Sequence, residues 1–212
     1  MIAAAAQTVS KESSPTLFGL TGGIACGKSF VSKLLRRHCI PVVDADDVAR
    51  QVVQSDSIGL TQLIEAFGKD ILLADGTLDR AKLGSMVFGN ADQLNKLNAI
   101  MQPLIRDEAQ FLINLHMGLG CRIVCYDAAL IVELDQAKNF SPLVVASCKP
   151  ETQMKRLLDR GVKKEQAKAM IASQLPLSAK EEAADVIIDT NGTKEETQHQ
   201  VDALVASLLI VD

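Results

Sequence analysis

The chain has 212 residues, 48% of them hydrophobic, with a formal net charge of −4 and a pI of about 5.4. That length suits one domain, or one domain with insertions, burying roughly 70% of its unfolded surface. The acidic balance, the lack of Trp and the single Tyr argue against a nucleic-acid partner, which needs a basic face and stacking aromatics.

The five cysteines (Cys26, Cys39, Cys121, Cys125, Cys148) are scattered, without a C-x-x-C pair, and the three histidines lie far apart. A disulfide framework and a metal cluster are both poor readings, and a reducing cytoplasm fits. Cys125 and Cys148 fall in apolar runs and are expected as buried small hydrophobes. Residues 1–15 start with an alanine run and turn polar, without a basic leader region; they read as a disordered tail. No stretch approaches the ~20 apolar residues of a membrane span, so no membrane partner is expected.

Leu17-Phe18-Gly19-Leu20 is a short apolar run and predicts a buried strand. Gly22-Gly23-Ile24-Ala25-Cys26-Gly27-Lys28-Ser29 follows, a complete Gly-x4-Gly-Lys-Ser phosphate loop. Its backbone N–H groups must turn inward onto phosphate oxygens, a path that side chains obstruct. Lys28 is placed to reach the β and γ phosphates, and the Ser29 hydroxyl to take a position on Mg²⁺. A helix is predicted from Lys28, with Phe30, Val31, Leu34 and Leu35 at helical spacing; its N-terminal partial charge faces the anion. The same position and charge predict a reactive, thiolate-prone Cys26.

Further apolar runs at Pro41–Val43, Arg122–Tyr126, Leu143–Ala146 and Val186–Ile188 read as buried parallel strands separated by helices. The fold class is α/β: a doubly wound, parallel, five-stranded core with ligands at the carboxyl ends of the strands.

Residues 47–120 contain no convincing strand. Leu60, Leu63, Ile64 and Phe67 have helical spacing, Asp79 suits a helix cap, and Leu94, Leu97, Ile100 and Met101 continue the pattern. Pro103 is expected to break or restart the helix there. One crossover does not need that much chain, so this region reads as a helical acceptor-binding insertion. A second helical insertion, residues 150–184, is charged. Its Arg156 and Arg160 are four apart and share a face, as a lid closing over phosphates would need; a solvated helix accounts for them equally well.

Two strands run into aspartates: Val43 into Asp44-Ala45-Asp46, and Tyr126 into Asp127. Extended geometry sends Asp44 and Asp46 to one side, where one carboxylate can take a proton from an acceptor hydroxyl and another can hold Mg²⁺ through water. Asp47 is left to cap the next helix. A GTPase switch fits poorly. Asp56-Ser57-Ile58-Gly59 has no strand before it, and Asn95-Lys96-Leu97-Asn98 lacks the guanine-reading Asp.

From Leu17 to about Thr193 the chain resembles the dephospho-CoA kinases. The resemblance rests on the phosphate loop in Leu20–Ser29, Val43–Asp46 with Ala49-Arg50, Asp75-Gly76-x-Leu78, and Leu97-Asn98 with Pro103–Arg106. It continues through Asp127-x-x-Leu130 with Glu133, Pro150–Gln153 with Arg156, Leu157 and Arg160, Gln174-x-Pro176, and Val186–Asp189 with Asn191-Gly192. It implies ATP-dependent phosphorylation of the ribose 3′-hydroxyl of dephospho-CoA, in a nucleotide core (16–46 and 121–212) with a helical CoA-substrate domain (47–120) and a lid (150–184). It implies Asp46 as base, Lys28 and Arg160 on the phosphates, and Phe30, Asn191 and Gly192 beside the nucleotide. Asp44, Arg50 and Asp127 would lie at the acceptor. The cofactors implied are ATP and Mg²⁺, and a monomer or weak oligomer is compatible. The chain departs from the pattern at Cys26, Phe30, Gln102 (usually His), Ala129, Val132 and Gly161. Another small-molecule phosphate-loop kinase, or a nucleotide-binding regulator without turnover, is the alternative.

Overall fold

The computed structural model describes residues 15–210. The expected tail therefore lies, except for Pro15, outside the described residues. Five parallel strands, β1 (Thr16–Gly22), β2 (Val42–Asp44), β3 (Ile123–Asp127), β4 (Leu143–Ser147) and β5 (Val186–Asp189), form one sheet in the order β2-β3-β1-β4-β5. All five expected strands are present, each within one or two residues of its apolar run.

One face carries α1 (Lys28–Arg37) and α9 (Lys194–Ile210). Phe18, Leu20, Cys125, Val144, Ala146 and Ile188 from the strands meet Val31, Leu34 and Leu35 of α1 and Val201, Leu204 and Leu208 of α9 there. On the opposite face Val43 and Val124 meet Val48 of α2 (Ala45–Gln51) and Ala109 and Ile113 of α5 (Ala91–Gly118). Alternation along β3 assigns the faces, since Val124 and Cys125 point opposite ways.

The helical insertion has an apolar centre of its own. Leu63 and Phe67 of α3 (Ile58–Phe67) pack with Ile71, with Leu83 and Val87 of α4 (Arg80–Val87), and with Leu97, Ile100 and Met101 of α5. Asp79 caps α4 as expected, accepting from the Lys82 amide at 2.9 Å. Pro103 does not break the helix: α5 runs unbroken from Ala91 to Gly118. An interior Pro forfeits one helix bond and costs about 3 kcal/mol. Here apolar residues on both sides of it are anchored, Leu97–Met101 in the insertion and Ala109 and Ile113 on the sheet, which offsets that cost.

Three helices, α6 (Pro150–Asp159), α7 (Lys164–Ala172) and α8 (Leu177–Glu182), connect β4 to β5. They are tied to the loop after β3. Buried Lys180 pairs with Glu133 at 2.7 Å and donates to the Ala129 carbonyl, and the Leu175 amide donates to Glu133.

Candidate active site

The phosphate loop leaves the carboxyl end of the central strand β1. Gly22 is required by close approach, since a Cβ there would stand 2.5 Å from the Ala146 carbonyl oxygen. Ala25 and Gly27 adopt φ of +58° and +81°, the left-handed region that turns successive peptides around a concave nest. Helix α1 begins at Lys28 with no acidic residue in its first turn, so its positive end faces the nest uncompensated. Ser29 is exposed beside it. These features fit a polyphosphate.

Lys28 is held by Asp127. Its ammonium contacts Oδ1 of that carboxylate, and the Ser32 hydroxyl, one turn along α1, donates to Oδ2. Asp127 is only 1% exposed. Burial pushes its carboxyl above the usual range, against the pull of Lys28 and Ser32. Asp44 stands opposite Asp127 in the β2–β3 register. The Tyr126 hydroxyl is pushed up by burial and then by Asp127, Asp44 and Asp46. Asp46 follows Asp44 in the first turn of α2, so the three carboxylates lie at the same edge of the sheet.

The arrangement of Asp44 and Asp46 differs from the extended one expected. The strand ends at Asp44, and Asp44 is itself the N-cap of α2, accepting from the Asp46 and Asp47 amides at 2.9 and 3.3 Å. Asp46 is exposed in the first helical turn. Asp47 does not cap; it pairs with Arg50 at 2.6 Å, both exposed. Helix capping explains the change, because a β-region Asp before a helix satisfies amides that the strand would leave open.

The other walls come from α6 and from the turn after β5. Arg156 donates to the Ala25 carbonyl at 3.1 Å and to Thr190 Oγ1 at 3.0 Å. It binds the phosphate loop more closely than the sequence suggested. Arg160, exposed at the end of α6, lines a cavity of about 260 Å³ with Gly27, Phe30, Arg156, Thr190 and Gly192. Asn191 Oδ1 accepts from the Lys149 amide at 2.8 Å and from the Thr152 hydroxyl, fixing the start of α6.

Two glutamines were not singled out for a role by residue chemistry. Gln174 Oε1 accepts from the Ile24 amide at 2.7 Å, and Gln153 donates to the Ile24 carbonyl at 2.9 Å. The buried Gln153 on an otherwise amphipathic helix was the available signal. The segment between α7 and α8 thus already holds one amide of the nest.

Cys26 is not the accessible thiolate expected. It is fully buried, and its bond with Cys148, followed by burial, pushes its thiol up. Its sulfur lies 3.5 Å from that of Cys148. Cys125 and Cys148 are buried, as anticipated.

A second cavity, of about 410 Å³, runs between α5 and the sheet. Gln102 and Arg106 line it from α5; Tyr126, one residue before Asp127, and Phe140 line it from the core. The two rings stack at 5.3 Å.

The dephospho-CoA kinase family model matches residues 16–196. The chain belongs to the dephospho-CoA kinase family. It is 43% identical over 187 residues to the dephospho-CoA kinase of Bdellovibrio bacteriovorus, covering 88% of this chain and 93% of that one. Its fold matches a crystal structure from Thermus thermophilus with a TM-score of 0.76 at 26% identity, over 92% of this chain and 99% of that one. It also matches the fold of the dephospho-CoA kinase of Campylobacter jejuni, with a TM-score of 0.65 at 22% identity, over 92% and 97% of the two chains. Family membership makes the protein a kinase that uses ATP. Among the described residues, no helix is long and apolar enough to cross a membrane.

Proposed function

We propose that this protein transfers the γ-phosphoryl group of ATP to the ribose 3′-hydroxyl of dephospho-CoA, giving coenzyme A and ADP. The observation that carries the reading is one sheet edge, in a member of this family, that brings the phosphate nest, Lys28 and the carboxylates Asp44, Asp46 and Asp127 together.

Phosphoryl transfer asks for positioning and charge stabilisation more than for covalent chemistry. The amides of Ala25 and of Gly27 to Ser29 bind the phosphates, those of Ile24 and Cys26 being held by Gln174 and the Gly23 carbonyl, and Lys28 leaves Asp127 to reach the β and γ oxygens. Asp127 then keeps the Ser32 bond. Asp46, exposed and unused as a cap, accepts the proton of the 3′-hydroxyl at its carboxylate. Arg160 and Phe30 hold the nucleoside side, with Asn191 and Gly192 closing the cavity. Arg50 turns from Asp47 to the acceptor.

Mg²⁺ suits the donors present. The Ser29 hydroxyl is a hard oxygen ligand. Among the described residues no group of three acidic, His or Cys side chains forms a closed cage, so water and phosphate oxygens would complete the shell. When bound, the ion neutralises charge on the phosphates.

Residues 47–120 serve as the acceptor domain and 150–184 as the lid. The cavity between α5 and Tyr126 takes the arm of dephospho-CoA, with Arg106 at the rim for its diphosphate. Five free thiols fit a reducing cytoplasm. A ligand-stabilisation panel tests this reading. A ligand at a hundred times its Kd adds about 2.7 kcal/mol to folding stability. Dephospho-CoA is expected to stabilise the protein more than adenosine at matched concentration; equal stabilisation would overturn the acceptor assignment.

A further inference from the structure

Cys26 and Cys148 stand 122 residues apart in the chain, yet their Sγ atoms lie 3.5 Å apart. The sheet brings them together. Gly22 of β1 and Ala146 of β4 are register partners, and the loops that leave the two strands at this edge carry Cys26 and Cys148. Cys26 sits inside the phosphate nest, with its amide donating to the Gly23 carbonyl at 3.1 Å and its carbonyl accepting from Thr190 at 2.9 Å. Cys148 directly precedes Lys149, the residue that opens α6. Each sulfur is therefore attached to a different wall of the nucleotide site.

We propose that Cys26 and Cys148 form a dithiol pair that a hydroperoxide oxidises to an intramolecular disulfide, closing the phosphate loop to nucleotide. The Cys148 thiolate attacks one peroxide oxygen; an S–O bond forms, the O–O bond breaks, and the other oxygen leaves as an alcohol after taking a proton. Cys26 then gives up its thiol proton and attacks the Cys148 sulfur. The S–S bond forms, the S–O bond breaks, and the hydroxyl leaves as water with that proton. Two thiols lose two electrons and two protons, and the hydroperoxide is reduced to alcohol and water. Cys148, 4% exposed where Cys26 is wholly enclosed, is the sulfur a peroxide reaches first, and its bond with Cys26, against burial and with help from Arg156, holds its thiol down.

The sulfurs must close from 3.5 Å to about 2.05 Å, a movement of roughly 1.5 Å shared by the loop and the β4–α6 corner. A displacement of ~1 Å in a positioning element can cost about a hundredfold in rate. The pair differs from a structural cystine because its oxidised form deforms the site. The inference rests on Gly22–Ser29 being the phosphate loop, and its chemical readout is independent of turnover.

The full-length protein is treated with tert-butyl hydroperoxide, denatured, alkylated with N-ethylmaleimide and digested. The expected result is a Cys26–Cys148 linked peptide and two fewer alkylated thiols. ATP-dependent activity should fall about ten- to a hundredfold, recover with dithiothreitol, and be protected by ATP during oxidation. Cys148→Ser should keep its basal activity and resist the oxidant; Cys148→Ala serves if the serine variant does not fold. Full alkylation of both cysteines after oxidation overturns the proposal. So does a linked peptide with unchanged ATP binding, or inactivation of the Cys148 variant as fast as the wild type.

Discussion

The Lys28 ammonium is bonded to Asp127, a carboxylate 1% exposed to solvent whose other oxygen accepts from Ser32. The lysine of the phosphate loop is therefore also the counter-ion of a buried charge, and its removal has two consequences. Turnover should be lost, because the phosphates lose their cation. Stability should fall too, because breaking a buried pair leaves a charge uncompensated.

The pH dependence separates the two. Burial already sets the folded pKa of Asp127 above its ordinary 3.8, and Lys28 is the largest influence opposing it. For an acid with a raised folded pKa, the folded state binds the proton more tightly. Stability then falls as pH rises from the unfolded to the folded pKa, and is level above it. Without Lys28 the folded pKa rises further and the window widens upward. Lys28→Ala should be close to wild type in stability near pH ~4 and lose up to roughly 3 kcal/mol at neutral pH, read by urea unfolding. A loss of equal size at every pH would show that Asp127 is not the group involved.

Asp44 caps α2 and Asp46 does not, and substitution should separate them. Asp44→Ala removes the cap of α2 and should cost about 1 kcal/mol of stability. Asp46→Asn should leave stability and ATP affinity nearly unchanged while kcat falls about 10²- to 10⁴-fold. Near-normal kcat in Asp46→Asn would pass the base role to Asp44 or Asp127.

Arg160 shares its cavity with Gly27, Phe30 and Thr193, where we propose that the nucleoside lies. Arg160→Ala should lower kcat/KM about ten- to a hundredfold, chiefly by raising the KM for ATP, as loss of a charged hydrogen bond would. A fall in kcat at constant KM would instead place the guanidinium on the transferring phosphoryl group.

Among the cysteines, Cys39 is exposed and Cys26 and Cys125 are fully buried. Brief iodoacetamide treatment of the native protein should label Cys39 first. Mass spectrometry showing Cys26 labelled before Cys39 would refute the buried placement.

The sheet was legible because its central strands are covered on both faces, and their apolar runs at Leu17–Leu20, Arg122–Tyr126 and Leu143–Ala146 stand out from the amphipathic helices. The phosphate loop was legible because its glycines answer to steric needs, as the contact of Gly22 with Ala146 shows. What remained hidden was long-range. Pro103 ends helices by local rule, but α5 is pinned in two apolar clusters on either side of it. Helix capping reached back to Asp44 and removed the strand alternation that paired it with Asp46. The meeting of Cys26 with Cys148, and of Ile24 with Gln153 and Gln174, depends on the register of β4 and the path of the chain from α6 to α8, which no local spacing encodes.

Acceptor-dependent turnover tests the central claim most directly. The purified protein is incubated with ATP and Mg²⁺, with and without dephospho-CoA; ADP release is followed, and the product is analysed by phosphorus NMR. The account predicts ADP release that requires dephospho-CoA, in equal amount to a new phosphomonoester on the ribose 3′-oxygen. ADP release indifferent to dephospho-CoA, or a phosphate elsewhere on the acceptor, would contradict it.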